Sequence, residues 1–155
     1  MVRVVLLCSL TLQLVSEPLP DATAKVEPVV TAAQINGTWS NKSGEFKIWA
    51  LGNQKLRVEF SGSYEYGSAS GPVANTGEAN GIATIERSTA IFTPQRSGAD
   101  GCKITMKFEI PTLVVTQDGS CGFGLNVTAA GRYRRSSKRK PAFDHPDPMA
   151  RKNTL

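Results

Sequence analysis

Between Gln34 and Tyr133, apolar and polar side chains alternate in short runs, and Gly, Asn and Ser fall at the breaks. Such a pattern predicts strands and turns rather than helices. Eight strands are expected, over 37–40, 45–51, 55–63, 77–86, 88–93, 102–110, 112–117 and 125–134. In the second, Phe46, Ile48 and Ala50 point one way while Glu45, Lys47 and Trp49 point the other. In the third, Leu56, Val58 and Phe60 alternate with Lys55, Arg57 and Glu59. One wet face and one buried face characterise an antiparallel sheet. Leu51-Gly52-Asn53, Asn75-Thr76-Gly77 and Asp118-Gly119 supply turns, and the polar, glycine-rich segment 67–75 reads as a mobile loop. Eight short strands in sequence order predict an all-β fold, a small antiparallel up-and-down barrel, because closure removes the exposed sheet edges. A β-sandwich is the alternative.

The run Cys102-Lys103-Ile104-Thr105-Met106-Lys107-Phe108 shares one apolar face among Cys102, Ile104, Met106 and Phe108. Folding it about Pro111–Thr112 places Ile110 opposite Leu113, Phe108 opposite Val115, and Cys102 opposite Cys121. Opposed residues of an antiparallel pair come close enough for a disulfide. A bridge between Cys102 and Cys121 is therefore expected, with a structural rather than a redox role, since the spacing is far from C-x-x-C.

The ends of the chain have a different composition. Met1-Val2-Arg3 opens an apolar run from Val4 to Val15, followed by Pro18, Pro20 and the small triplet Ala22-Thr23-Ala24. This order predicts a signal peptide over 1–24, too short in its apolar core for a spanning helix, which needs roughly 20 residues. Cleavage leaves Cys102 and Cys121 as the two cysteines, in keeping with an oxidising compartment and a periplasmic or secreted location. A linker follows over 25–33, then the barrel domain over 34–135 and a disordered basic tail over 136–155. Residues 25–133 carry ten Lys/Arg against nine Asp/Glu, whereas residues 134–155 carry seven against two. The high isoelectric point thus resides in the tail. A basic domain surface for nucleic acid is not indicated, although the tail could attract an anionic envelope surface.

Catalytic chemistry finds few candidates. The single histidine, His145, lies in the Pro-rich tail, where a base is hard to hold against a nucleophile. The glutamates mostly alternate with apolar residues as solvent-face positions, and no glycine-rich phosphate loop opens a helix. Neither a metal site nor a cofactor is expected, and the chain reads as a non-enzyme. Trp49 on a polar face, and Tyr64 and Tyr66 beside the glycine-rich loop, are the candidate partner contacts.

Two stretches carry a family likeness. Gly37-Thr38-Trp39 early in the domain, with Arg132 and Arg134 late in it, resembles the calycin pattern. That likeness implies a tryptophan packed under a late basic residue at the closed end of a barrel. Cys102 to Phe108, Val114 to Gln117, Cys121-Gly122-Phe123-Gly124-Leu125-Asn126-Val127 and Gly131-Arg132-Tyr133 resemble a small cysteine-bridged domain of exported bacterial proteins. Some of those are related to the LprI-type lysozyme inhibitors. The likeness implies an exported binding protein that inhibits lysozyme or another hydrolase. A carrier of a small hydrophobic ligand in the barrel, and an envelope-associated structural protein held by its tail, are the alternatives.

Overall fold

The computed structural model describes residues 27–69, 71–94 and 101–147. A one-turn helix, α1 (Ala32–Ile35), precedes eight strands: β1 (Gly37–Ser40), β2 (Gly44–Gly52), β3 (Lys55–Ser68), β4 (Gly71–Glu86), β5 (Thr89–Phe92), β6 (Lys103–Glu109), β7 (Thr112–Asp118) and β8 (Gly131–Ser137). Each strand pairs antiparallel with the next, and β1 pairs with β8, so the sheet closes into a barrel rather than splitting into a sandwich. The expected signal peptide lies outside the described residues. Among the described residues no helix is long and apolar enough to cross a membrane.

The alternation seen in the sequence sets the two faces. Phe46, Ile48, Leu56, Val58, Phe60, Ile104, Met106 and Phe108 all point inward and are buried. Register places Phe46 opposite Phe60, Ile48 opposite Val58, and Ala50 opposite Leu56. Large side chains meet small ones across the next pair, where Phe60, Val58 and Leu56 face Ala79, Gly81 and Ala83. A Cβ on Gly81, whose φ is +152°, would stand 3.2 Å from the Phe92 ring. The interior is filled by side chains, as an eight-stranded barrel of this size permits.

Four expectations are corrected. Segment 67–75 is not a loop: β3 and β4 run on as a long hairpin, with Tyr64 opposite Asn75 and Tyr66 opposite Val73. Beyond the barrel the tip of this ribbon is largely exposed and only its base meets the β7–β8 loop, so the sequence there needs no apolar alternation. The last strand starts at Gly131 instead of 125. Residues 125–130 mimic a strand because Val127 and Ala129 both turn inward, but they are held as a loop, with the Ala129 N–H donating to Gln117 Oε1 at 2.8 Å.

In the β6–β7 hairpin, Phe108 faces Leu113 and Met106 faces Val115, so the turn is Ile110-Pro111 and the register is two residues away from expectation. A two-residue slip keeps every side chain on its face, so alternation could not detect it. Finally, the segment expected to be disordered from 136 is built differently. β8 runs to Ser137, and residues 140–147 lie against β2 and β3. Residues 148–155 lie outside the described residues.

Candidate binding surface

The barrel has two ends. One carries α1 and the β2–β3, β4–β5 and β6–β7 turns, and the other carries the long β3–β4 hairpin and the β7–β8 loop. At the hairpin end, Cys102 and Cys121 are bonded, with Cα atoms 4.7 Å apart. Both are buried, and they anchor the β7–β8 loop over the barrel mouth. Phe123 plugs that mouth. Its ring lies 5.3 Å from that of Phe60, and it occupies the space a Cβ on Gly77 would need, 2.7 Å away. Two hydrogen bonds join loop to hairpin: Gly124 N–H donates to Thr76 O at 2.9 Å, and Asn75 Nδ2 donates to Leu125 O at 2.8 Å.

Above this plug the inward row of β3 leaves the barrel and emerges as Tyr64 and Tyr66, 43% and 44% exposed. Their rings stack at 6.5 Å. Val73 sits directly opposite Tyr66 at 39% exposure, and Leu125 of the adjoining loop is 77% exposed. Tyr64, Tyr66 and Val73 thus form one exposed stripe, with Leu125 exposed on the loop that is hydrogen-bonded to the same hairpin. The two tyrosines named from the sequence are brought together here. Val73 and Leu125 were not anticipated: Val73 is a single apolar residue in a polar segment, and the alternation of Leu125 with Val127 and Ala129 assigned it to a strand.

Trp49 is not part of this surface. It lies on the outer wall, half-buried, with the Lys140 ammonium 5.6 Å from its ring. The tail covers this wall. Phe143 lies under the Arg57 guanidinium at 4.0 Å, and Arg57 Nη2 donates to the His145 carbonyl. Lys47 Nζ reaches Asp144 Oδ2 at 2.6 Å, and this partner holds the Asp144 carboxyl below its ordinary range.

Beneath the strap is Glu59, 5% exposed on an outward position. Its Oε2 accepts the Asp144 N–H at 2.8 Å and its Oε1 the His145 N–H at 3.0 Å. His145 Nδ1 stands 3.5 Å from Glu59 Oε1. This carboxylate is engaged in holding backbone. Nothing in the alternation of Lys55, Arg57 and Glu59 distinguished it, and Phe143 is the one Phe, Tyr or Trp in the tail.

At the opposite end, Trp39 is fully buried and its Nε1 donates to Ile35 O at 2.8 Å. The basic residue above its ring is Arg135, at 5.4 Å, which also donates to Ala33 O at 2.8 Å and so ties α1 down. Arg132 and Arg134, named from the sequence, point outward instead; Arg132 lies 3.9 Å from Glu109. Tyr133 is the inward residue of β8, so its i+2 neighbour shares that side and the residues between do not. Burial pushes the Tyr133 phenol up to about 12, and its hydroxyl donates to Ala129 O at 2.8 Å. A cleft of about 780 Å³ lies between residues 27–30 and β6, bordered by Val29 and Ile110.

Compared with protein families, with characterised proteins and with solved structures, the chain matches none.

Proposed function

We propose that this chain is a non-enzymatic binding protein that grips another protein through the joined hairpin and disulfide loop, as an inhibitor of lysozyme or another hydrolase. The observation that carries this reading is the exposed stripe of Tyr64, Tyr66 and Val73, with Leu125 on the adjoining loop, on a backbone fixed by the barrel, the Phe123 plug and the disulfide. Tyrosine combines large contact area with few rotatable bonds, and rigid support lowers the entropy lost on docking. The filled interior speaks against a carrier that stores a ligand in the barrel. Of the basic run expected to seek an envelope, Arg135 and Lys140 already serve the fold, which leaves Arg134, Lys138 and Arg139 exposed.

The disulfide and the leader-like residues 1–24 support a periplasmic or secreted setting. No step of this reading calls for a cofactor or a metal.

The test is affinity capture and inhibition with the oxidised chain against lysozyme and secreted proteases. Retention of a hydrolase with loss of its activity, both abolished in a Tyr64→Ser/Tyr66→Ser variant of unchanged thermal stability, is the expected result. Retention that survives both substitutions would place the contact elsewhere.

A further inference from the structure

The hairpin and the loop beside it are unlike the rest of the chain in charge. Residues 61–78 and 119–130 together contain two charged side chains, Glu65 and Glu78, and neither Lys nor Arg, in a chain that holds 18 Lys+Arg. Elsewhere at the same end the described cations are Lys42, on the β1–β2 turn, and Lys103, whose ammonium lies 3.4 Å from Asp118. The basic run 132–140 leaves β8 toward the opposite end, where Arg135 fastens α1. Among the described residues, charge is therefore polarised along the barrel axis.

We propose that the partner gripped by the Tyr64–Tyr66 stripe is a cationic protein, with Lys or Arg ringing an apolar patch. The proposal rests on the binding reading above and names the partner's chemistry. Glu65 lies on the hairpin face opposite the tyrosines, yet a two-stranded ribbon is thin. Its charge acts on a docked surface within about one screening length, roughly 10 Å at 0.1 M salt. With no lysine or arginine on hairpin or loop, an approaching cation meets attraction there, whereas an anionic partner is drawn to 132–140 at the far end. The same arrangement disfavours an anionic lipid or nucleic acid at the stripe, because their phosphates would face Glu65 with no lysine or arginine on hairpin or loop to receive them. Charge of this kind steers encounter and selects among partners, while the apolar stripe supplies the contact.

The experiment is an amide NMR titration of the oxidised chain with two probe pairs. These are a basic lysozyme and a basic trypsin-type protease, each native and with its lysines succinylated, which reverses charge on a similar scaffold. Native probe is expected to shift amides in 62–76 and 119–130. Tyr64→Ser/Tyr66→Ser should remove the effect, and Glu65→Lys should weaken binding about fivefold, with a further loss of about tenfold between roughly 50 and 300 mM salt. Succinylated probe should bind at least about tenfold more weakly.

Equal binding of native and succinylated forms at the stripe, indifferent to Glu65→Lys, would overturn the cationic partner and leave the binding reading standing. Shifts confined to 132–140 would move recognition to the basic end and overturn both. Absence of any shift at the stripe with all four probes would also overturn both.

Discussion

Glu59 accepts the backbone N–H of Asp144 at 2.8 Å from a position that is 5% exposed, on the outside of a barrel whose core is elsewhere. A carboxylate withdrawn from water is stable only when its oxygens are satisfied. Here the chain's own tail does this, with the neighbouring His145 N–H on the second oxygen. Arg57 completes the clasp by covering Phe143 and binding the His145 carbonyl.

Replacing Glu59 with Gln removes the charge and turns an amide donor toward one of the two N–H groups. A buried donor left without an acceptor costs about 1–3 kcal/mol. Hydrogen exchange at the Asp144 and His145 amides should accelerate, and Trp49 fluorescence should shift as the strap loosens. Exchange unchanged from that of the parent chain would show that the strap is held by other contacts.

Lowering the pH should loosen the strap from the Asp144 side as well. Lys47 holds this carboxyl below its ordinary value of 3.8, so the Lys47–Asp144 contribution is present above that value and fades as pH falls through the lower, folded one. Lys47→Met should flatten this acid response, measured as the pH dependence of exchange at residues 143–147. A response of the same size in the variant would assign it to another group.

The alkaline limb should depend on Tyr133. Its phenol is pushed from 10.0 up to about 12, so the neutral form belongs to the folded state. Stability tied to this group is complete below 10 and declines as pH rises from 10 toward 12. The loss is about 2 kcal/mol across that window. Tyr133→Phe should be less stable near neutrality, by about 1 kcal/mol for the missing hydrogen bond to Ala129, but flatter above pH 10. Urea midpoints at a series of pH values check both effects.

Opening the Cys102–Cys121 bridge should release the β7–β8 loop. The bond closes a segment with a sequence separation of 19, and removing such a closure costs about 3 kcal/mol on the chain-entropy account. A Cys102→Ala/Cys121→Ala variant should melt at lower temperature and lose protection first over 119–130. Because Leu125 and Phe123 belong to this loop, partner binding should weaken together with that protection.

The three late arginines should separate cleanly. Arg135→Ala removes the cation above Trp39 and the hydrogen bond to Ala33, at a cost of about 1–3 kcal/mol. Arg132→Ala and Arg134→Ala, on exposed positions, should fall within about 0.5 kcal/mol of the parent. Thermal melts of the three variants measure this, and a large loss in Arg134→Ala would contradict the placement.

Alternation of apolar and polar side chains is a local property of each strand, and it was sufficient for the all-β barrel, the inward row from Phe46 to Phe108 and the outward set of Trp49. Pairing of Cys102 with Cys121 was also legible, since no other cysteine remains beyond residue 24, although the register that set them opposite is two residues off and Cys121 lies past the end of β7. The calycin likeness named Arg132 and Arg134 as the partners of Trp39; the same alternation rule, counted from Tyr133, would have selected Arg135, the residue that the structure places there. The register of the β6–β7 hairpin was not legible, since shifts by two residues leave every face unchanged and the turn decides among them. Nor was the full length of the β3–β4 hairpin, whose tip is largely exposed and so carries no pattern of burial. The clasp of Glu59 on residues 144 and 145 joins positions 85 and 86 apart in the chain. What the sequence determined is therefore which side of each strand faces inward, because burial acts residue by residue. Which distant segments meet on the outside was decided by the closed barrel, because only its finished surface brings a buried carboxylate and two backbone N–H groups to one place.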